Sequence, residues 1–375
     1  MSDATLTLSP PRATLSSGGS VAEFLLTGGA TLLLYPVVWL LRGALGLDDA
    51  ELVVGFLTFH AAHLINDPHF SVTYLLFYRD ARKRAFGPGW ATPLRLRYWL
   101  AGFVVPLLLA GWLGHALTTG SAEALGLVMQ LMFFLVGWHY AKQGFGVLTV
   151  LSARRGAHFL ATERRVVLVH CFSGWAYAWA NPRDPGRTVE QSGVVYTTYG
   201  HPPRLEAICG VLFGVSTVAL LVMLARKWRR EGHLPPLSPL VGLLVTVWSW
   251  MVFSSVDPLM IYLIPALHSL QYLYFVWLLK RNEARSGERE LGPRVRDRLF
   301  LLALSSVVLG WLLFRGVPGL LDGALGRFVQ ASSRDGALGV TPFFAAFFAF
   351  VNVHHYFMDH VIWRRENPEM RFLRE

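Results

Sequence analysis

The stretch from Leu338 to Trp363 reads LGVTPFFAAFFAFVNVHHYFMDHVIW. A helix needs about 20 predominantly apolar residues to cross the hydrocarbon core of a bilayer, and this stretch is long enough. Its second half nevertheless carries Asn352, His354, His355, Asp359 and His360. Ionisable side chains at membrane depth are costly, face a bundle interior and by default mark function. One segment thus predicts both a membrane helix bundle and a polar centre inside it.

Similar apolar stretches recur along all 375 residues. The spans read as 21–45, 51–78, 98–117, 123–151, 166–182, 206–225, 238–255, 258–279, 299–316 and 338–363. The chain is 53% hydrophobic and 15% charged, whereas a soluble domain carries about 25% charge. The expected fold is an all-α, polytopic transmembrane helix bundle of about ten spans. A single transmembrane domain over 21–363 follows a disordered cytoplasmic tail at 1–20 and precedes a cytoplasmic tail at 364–375.

The net charge of +10 does not indicate a nucleic-acid partner, because the basic residues fall in short connections between spans. Of the 34 Lys and Arg, 26 fall on one side of the predicted alternation. The opposite side holds Arg42, Arg183, Arg187, Arg204, Arg315, Arg327 and Arg334, and Lys142 lies within a span. The positive-inside rule then puts both termini in the cytoplasm, and the expected location is the bacterial inner membrane. Segments 183–205 and 317–337 read as outer loops and 280–298 as an inner one. Cys171 and Cys209 fall in different apolar segments and read as buried thiols.

Eight of the 13 histidines lie within four of the predicted spans, 51–78, 123–151, 258–279 and 338–363: His60, His63, His69, His139, His268, His354, His355 and His360. Imidazole is the commonest side-chain metal ligand, so all eight are candidate ligands. Their four spans run from the outer face inwards in this topology, so the histidines can share a depth. His60, His63 and Asp67 stand at i, i+3 and i+7, on one helix face. Asn352, His355 and Asp359 repeat that spacing. Pro68 predicts a kink beside the first group. Asp67 and Asp359 are candidate ligands or orienting groups, and Tyr272 a candidate catalytic residue. Tyr140 and Tyr356 are further candidates for proton or electron transfer. Gln143 and Tyr272, one turn beyond His139 and His268, are placed to fix a ligand's tautomer. The competing reading is packing: a lone membrane histidine such as His268 also serves as a hydrogen-bonded core residue, and the two aspartates also serve to cap a kink or to pair with Lys142 or Arg79.

The His60-x-x-His63 pair and His354-His355 resemble pieces of the histidine boxes of membrane-embedded non-haem di-iron oxygenases: fatty-acid desaturases, hydroxylases and alkane hydroxylases. No His-x-x-x-His box is present. The scatter of histidines within helices is also loosely similar to the membrane carotenoid-cleaving dioxygenases of the Brp/Blh type. The resemblance covers about forty residues. It implies an iron site, di-iron by analogy, with dioxygen as oxidant, a lipid-like substrate and an electron-donor protein.

The leading expectation is therefore a metal-dependent membrane oxidoreductase acting on a lipid-like small molecule. One alternative is a haem-binding electron-transfer protein with two axial histidines; a Cys-x-x-Cys-His signature for covalent haem is missing. The other is a transporter that uses the His/Asp groups as a relay. P-loop, dinucleotide-fingerprint and serine-hydrolase motifs are also missing.

Overall fold

A computed structural model describes residues 17–180, 188–191, 194–198, 200–254, 259–287, 294–333 and 338–373. The chain is all-α, 86% helical. Six helices are long and apolar enough to cross a membrane: Gly19–Leu45, Thr92–Thr119, Ala122–Arg154, Pro203–Glu231, Met260–Ser286 and Val295–Ser332.

In chain order the α-helices are α1 (Ser17–Phe24), α2 (Ala30–Leu45), α3 (Leu47–Ala62), α4 (Asn66–Tyr78), α5 (Ala81–Phe86), α6 (Thr92–Trp99), α7 (Val105–Thr119) and α8 (Ala122–Arg154). There follow α9 (Ala161–Ala180), α10 (Pro203–Glu231), α11 (Leu237–Leu244), α12 (Met260–Gly287), α13 (Val295–Trp311), α14 (Val317–Ser332) and α15 (Pro342–Ile362). π-helical turns at Leu25–Gly29, Leu100–Val104, Val245–Val252 and Leu312–Gly316 join or extend neighbouring helices.

All ten predicted spans overlap helices, but three connections differ from expectation. The span at 51–78 is not one kinked helix. α3 stops at Ala62 and α4 starts at Asn66. A proline ring clashes with the carbonyl four residues earlier and is tolerated in a first helical turn. Pro68 therefore ends the helix upstream, at residues 63–65, and sits harmlessly near the start of the next one.

The second difference is at 317–337, read from sequence as an outer loop. Val317–Ser332 is helix α14, continuous with α13 through the π turn. Arg327 consequently lies within a 38-residue helical run and not in a loop, and Arg315 lies inside that run and not at a span's end. Arg183, Arg187 and Arg334 fall outside the described residues.

Third, the segment 183–205 contains a hairpin, β1 (Thr188–Gln191) against β2 (Val194–Thr197), antiparallel, with Val194 also bridging to Leu338. Residues 17–20, read as part of the N-terminal tail, belong to α1. The C-terminal segment forms a 3-10 turn, Pro368–Leu373, whose Met370, Phe372 and Leu373 are buried against α12 and its neighbours. Cys171 and Cys209 are buried and unbonded.

α15 is the central helix, sheathed by α4, α7, α8 and α14. That position explains its composition. Fourteen of its 21 residues are buried, including Asn352, His354, His355 and Asp359. Small residues Ala345, Ala346 and Ala349 let its first turns pack tightly. A helix surrounded by protein has no need of a lipid-facing surface, so its second half is free to carry polar groups.

Candidate metal centre

Four helices bring one ligand-bearing side chain or two each to a common point. His69 comes from the first turn of α4, His139 from α8, His268 from α12, and His355 and Asp359 from α15. All five are buried, with His69 and His355 fully inaccessible. Two groups have ligand atoms mutually within 4.8 Å: His69, His139 and His268; and His139, His355 and Asp359.

The distances make this a ring-against-ring cluster. Centroid separations are 4.4 Å for His69–His355, 4.8 Å for His69–His268, 4.9 Å for His139–His268 and 5.0 Å for His139–His355. The Nε2 atoms of His139 and His268 are 3.1 Å apart. On its other side, Nδ1 of His139 lies 3.5 Å from an Asp359 carboxylate oxygen.

Helix register explains why the four elements meet at one level. His139 faces His268, and one turn on Gln143 donates to Gln271 at 2.7 Å, so α8 and α12 run the same way through the site. His69 meets Ser269, and Thr73 meets Tyr272, so α4 runs with them too. On α15 His355 stands beside His69 and Trp363 beside Tyr272. The expected common direction of the four histidine helices therefore holds within the bundle. His69 sits level with His268 because the break before α4 resets the helix start.

Surrounding groups orient the ligands. Nδ1 of His69 lies 3.2 Å from the Ser269 hydroxyl, which in turn donates to Asn66 at 3.0 Å. The Trp363 indole N–H donates to Asp359 at 2.5 Å. The Tyr272 hydroxyl shares a 2.7 Å hydrogen bond with Thr73 and lies beside Asp359. The Tyr140 ring packs on His268 at 4.4 Å and the Tyr356 ring on His139 at 5.0 Å. Gln143 does not reach a histidine ring; it donates to the His268 backbone carbonyl at 3.2 Å and to Gln271, which donates to the Thr27 carbonyl. Tyr272 likewise bonds Thr73 and not a histidine nitrogen.

Glycine makes the contact between Gln271 and the Thr27 carbonyl possible. Gly28 has φ +142°, and a Cβ there would sit 3.1 Å from the Gly242 Cα. A Cβ on Gly242 would come within 2.7 Å of the Thr27 carbonyl itself.

Several cluster nitrogens have no hydrogen-bond partner among the described residues: Nε2 of His69, Nδ1 of His268, and both nitrogens of His355. An unsatisfied buried polar atom costs about 1–3 kcal/mol. Four in one place, on three rings, make an expensive packing arrangement, and each of those rings can offer one nitrogen to an ion. The donors also fit a metal. Imidazole suits zinc, copper, iron and nickel, and ligands about 2.0–2.1 Å from an ion at tetrahedral or octahedral angles lie about 3 Å apart, close to the His139–His268 separation.

The other candidates stand apart. His354 spends both ring nitrogens, Nδ1 with the Tyr74 hydroxyl at 3.0 Å and Nε2 with the Ala101 carbonyl at 2.9 Å. Hydrogen-bonded packing is its observed role. His360 pairs with Arg364 at 2.9 Å and packs on Trp138. His60 is exposed, its ring against Phe56 and Phe59. His63 is half-buried and contacts Asp67 at 3.2 Å. The two His-x-x-x-Asp sequences thus diverge: His63 and Asp67 pair with each other, while His355 and Asp359 both turn towards His139. Neither aspartate pairs with Lys142, which lies over the Phe172 ring, or with Arg79, which binds Asp80, Glu283 and Glu369.

Ser269 and Asn66 carry no site role in the sequence reading, and Trp363 reads there as an interfacial aromatic at a span end. Ser269 adjoins a candidate ligand and Trp363 follows Asp359 by one turn, which are the only signals available for them. The chain matches no protein-family model, no curated protein and no solved structure.

Proposed function

We propose that this chain is an integral membrane metalloprotein that holds one ion on His69, His139, His268 and His355, and that it oxidises a lipid-like substrate. The observation that carries the reading is the buried four-histidine cluster with four unpartnered nitrogens.

One ion fits better than two. His139 belongs to both ligand groups, and Asp359 is the only carboxylate among them. Di-iron centres in helix bundles commonly use four carboxylates and two histidines. With Nδ1–H of His139 turned to Asp359, Nε2 is left as the metal-binding lone pair. Asp359 then orients that ring and strengthens it as a ligand, as carboxylates do beside metal-bound histidines. Ser269 performs the same service for His69. A single ion also fits better than haem, because the rings touch and a macrocycle would have to part them.

Iron in this ligand set would supply one-electron and dioxygen chemistry. The protein's part is to exclude water, fix the imidazoles and hold protons nearby. The Tyr272 hydroxyl and Asp359 carboxylate, joined to Thr73 and Trp363, form the proton-holding side of the site. On this reading an electron-donor protein docks on the cytoplasmic face of a bacterial inner membrane, and the excess of Lys and Arg on one side of the chain's alternation supports putting both termini on that face.

The test is lipid profiling of membranes from cells expressing the native chain or His355→Ala. A product that differs from its precursor by oxygen insertion, cleavage or loss of hydrogen, and that disappears in the variant, supports the reading. Identical profiles from well-expressed protein, alongside metal-independent solute uptake by reconstituted vesicles, favour a carrier instead.

A further inference from the structure

Arg315 is the unexplained charge of this fold. It lies in the π turn between α13 and α14, inside the apolar run Val295–Ser332. π turns recur at functional sites, and a charged side chain within a membrane span needs a partner. Its guanidinium lies 4.3 Å from the Phe59 ring centroid and 5.7 Å from that of Phe344. Nε is buried without a hydrogen-bond partner, and no described residue accepts a hydrogen bond from this side chain. Asp67 lies within electrostatic range, but its carboxylate is engaged by His63 at 3.2 Å.

The surroundings point to an amphiphile. Phe59 is 50% exposed on the outer surface of the bundle, with exposed His60 next to it. Inward, a line of rings connects Arg315 to the histidine cluster. Its neighbour Phe314 is 5.3 Å from Phe70, and Phe70 is 4.9 Å from His355. Phe344 and His355 are eleven residues apart on α15, which at about 1.5 Å per residue separates the two ends by about 16 Å. A cationic fork stands at one end, the cluster at the other, with aromatic wall between.

We propose that Arg315 anchors the carboxylate of a long-chain amphiphile that enters from the bilayer beside Phe59, with its apolar chain directed along Phe314 and Phe70 towards His355. Guanidinium recognises a carboxylate through paired N–H donors, and Phe59 and Phe344 hold its plane by cation–π contact. Phe70 and Phe314 are buried, so a chain reaching His355 must displace one of them. The proposal rests on the metal-site reading for what happens to the chain, but not for binding of the carboxylate.

The experiment measures tryptophan quenching in detergent-purified protein by dibromostearate and by its uncharged alcohol, with metal content determined on the same samples. The native chain should bind the carboxylate at least tenfold more tightly than the alcohol. Arg315→Gln should abolish that preference, Arg315→Lys should keep part of it, and metal content should stay unchanged. Equal affinity for acid and alcohol in the native chain would overturn the proposal without any variant being needed. So would a preference that survives Arg315→Gln. Displacement of dibromostearate by phosphatidylglycerol at equal affinity would overturn the carboxylate assignment in favour of a headgroup phosphate. Charge-dependent binding by a metal-free protein would leave the anchor standing while the oxidoreductase reading falls.

Discussion

The Nε2 atoms of His139 and His268 face each other at 3.1 Å across the helix pair α8 and α12. At that distance either one nitrogen donates to the other or both point their lone pairs at a shared cation. Asp359, 3.5 Å from Nδ1 of His139, favours the tautomer with the proton on that nitrogen and leaves the Nε2 lone pair to accept from His268 or to face a cation. In that tautomer Nε2 of His139 carries a lone pair that can face a cation, with the ring held from behind.

That arrangement predicts the effect of Asp359→Asn. The amide still accepts a hydrogen bond but carries no charge to raise the basicity of His139. Metal affinity should fall about 10–100-fold, as for other carboxylate partners of metal-bound histidine. Competition with a chelator of known affinity measures it. Unchanged affinity would place Asp359 outside the centre.

Ser269→Ala removes the hydroxyl that links His69 to Asn66. The net loss of stability should be modest, about 0.5–1.5 kcal/mol for one hydrogen bond. The metal should bind more weakly, by up to about tenfold, because His69 is then free to turn. Thermal unfolding with and without metal separates the two effects, and an affinity equal to that of the native chain would rule out an orienting role.

Gly310 sits where α13 meets the first turn of α4. A Cβ there would come within 2.8 Å of the Asp67 carbonyl carbon and 2.9 Å of its oxygen. Both are backbone atoms, so relief requires moving the helix that carries His69. Gly310→Val should destabilise the protein by about 1–3 kcal/mol and lower its metal content. Full metal content with native thermal stability would contradict this packing.

The periphery gives a control. His60→Ala removes an exposed ring that touches only Phe56, Phe59 and His63 in ring contacts. Metal content should be unchanged and stability should move by no more than about 0.5 kcal/mol. Loss of metal would bring the α3 histidines back into the centre.

Much of this fold was legible as composition and length, because a membrane span is a long apolar run that needs no partner to be recognised. Helix ends were harder. Pro68 signalled a disruption but not that the break falls at 63–65, since the clash acts on a carbonyl four residues back. Arg315 and Gly316 read as the end of a span, because a charge and a glycine end most apolar runs; the π turn that absorbs them leaves no signature in spacing. The cluster was partly legible too. His69, His139, His268, His355 and Asp359 all stood among the candidates. His354 could not be told from His355, because which of two adjacent residues faces the centre depends on helix rotation. His60, His63 and Asp67 had the same spacing as Asn352, His355 and Asp359 and yet lie apart from the cluster, since the break at 63–65 divides their segment between two helices.

The adjacent pair His354 and His355 offers the most direct test of the central claim. The measurement is metal per chain by mass spectrometry on gently purified native protein, His354→Ala and His355→Ala. The account predicts about one ion per chain in the native protein and in His354→Ala, with loss of most of it in His355→Ala. Metal-free native protein, or equal metal in the two variants, would contradict it.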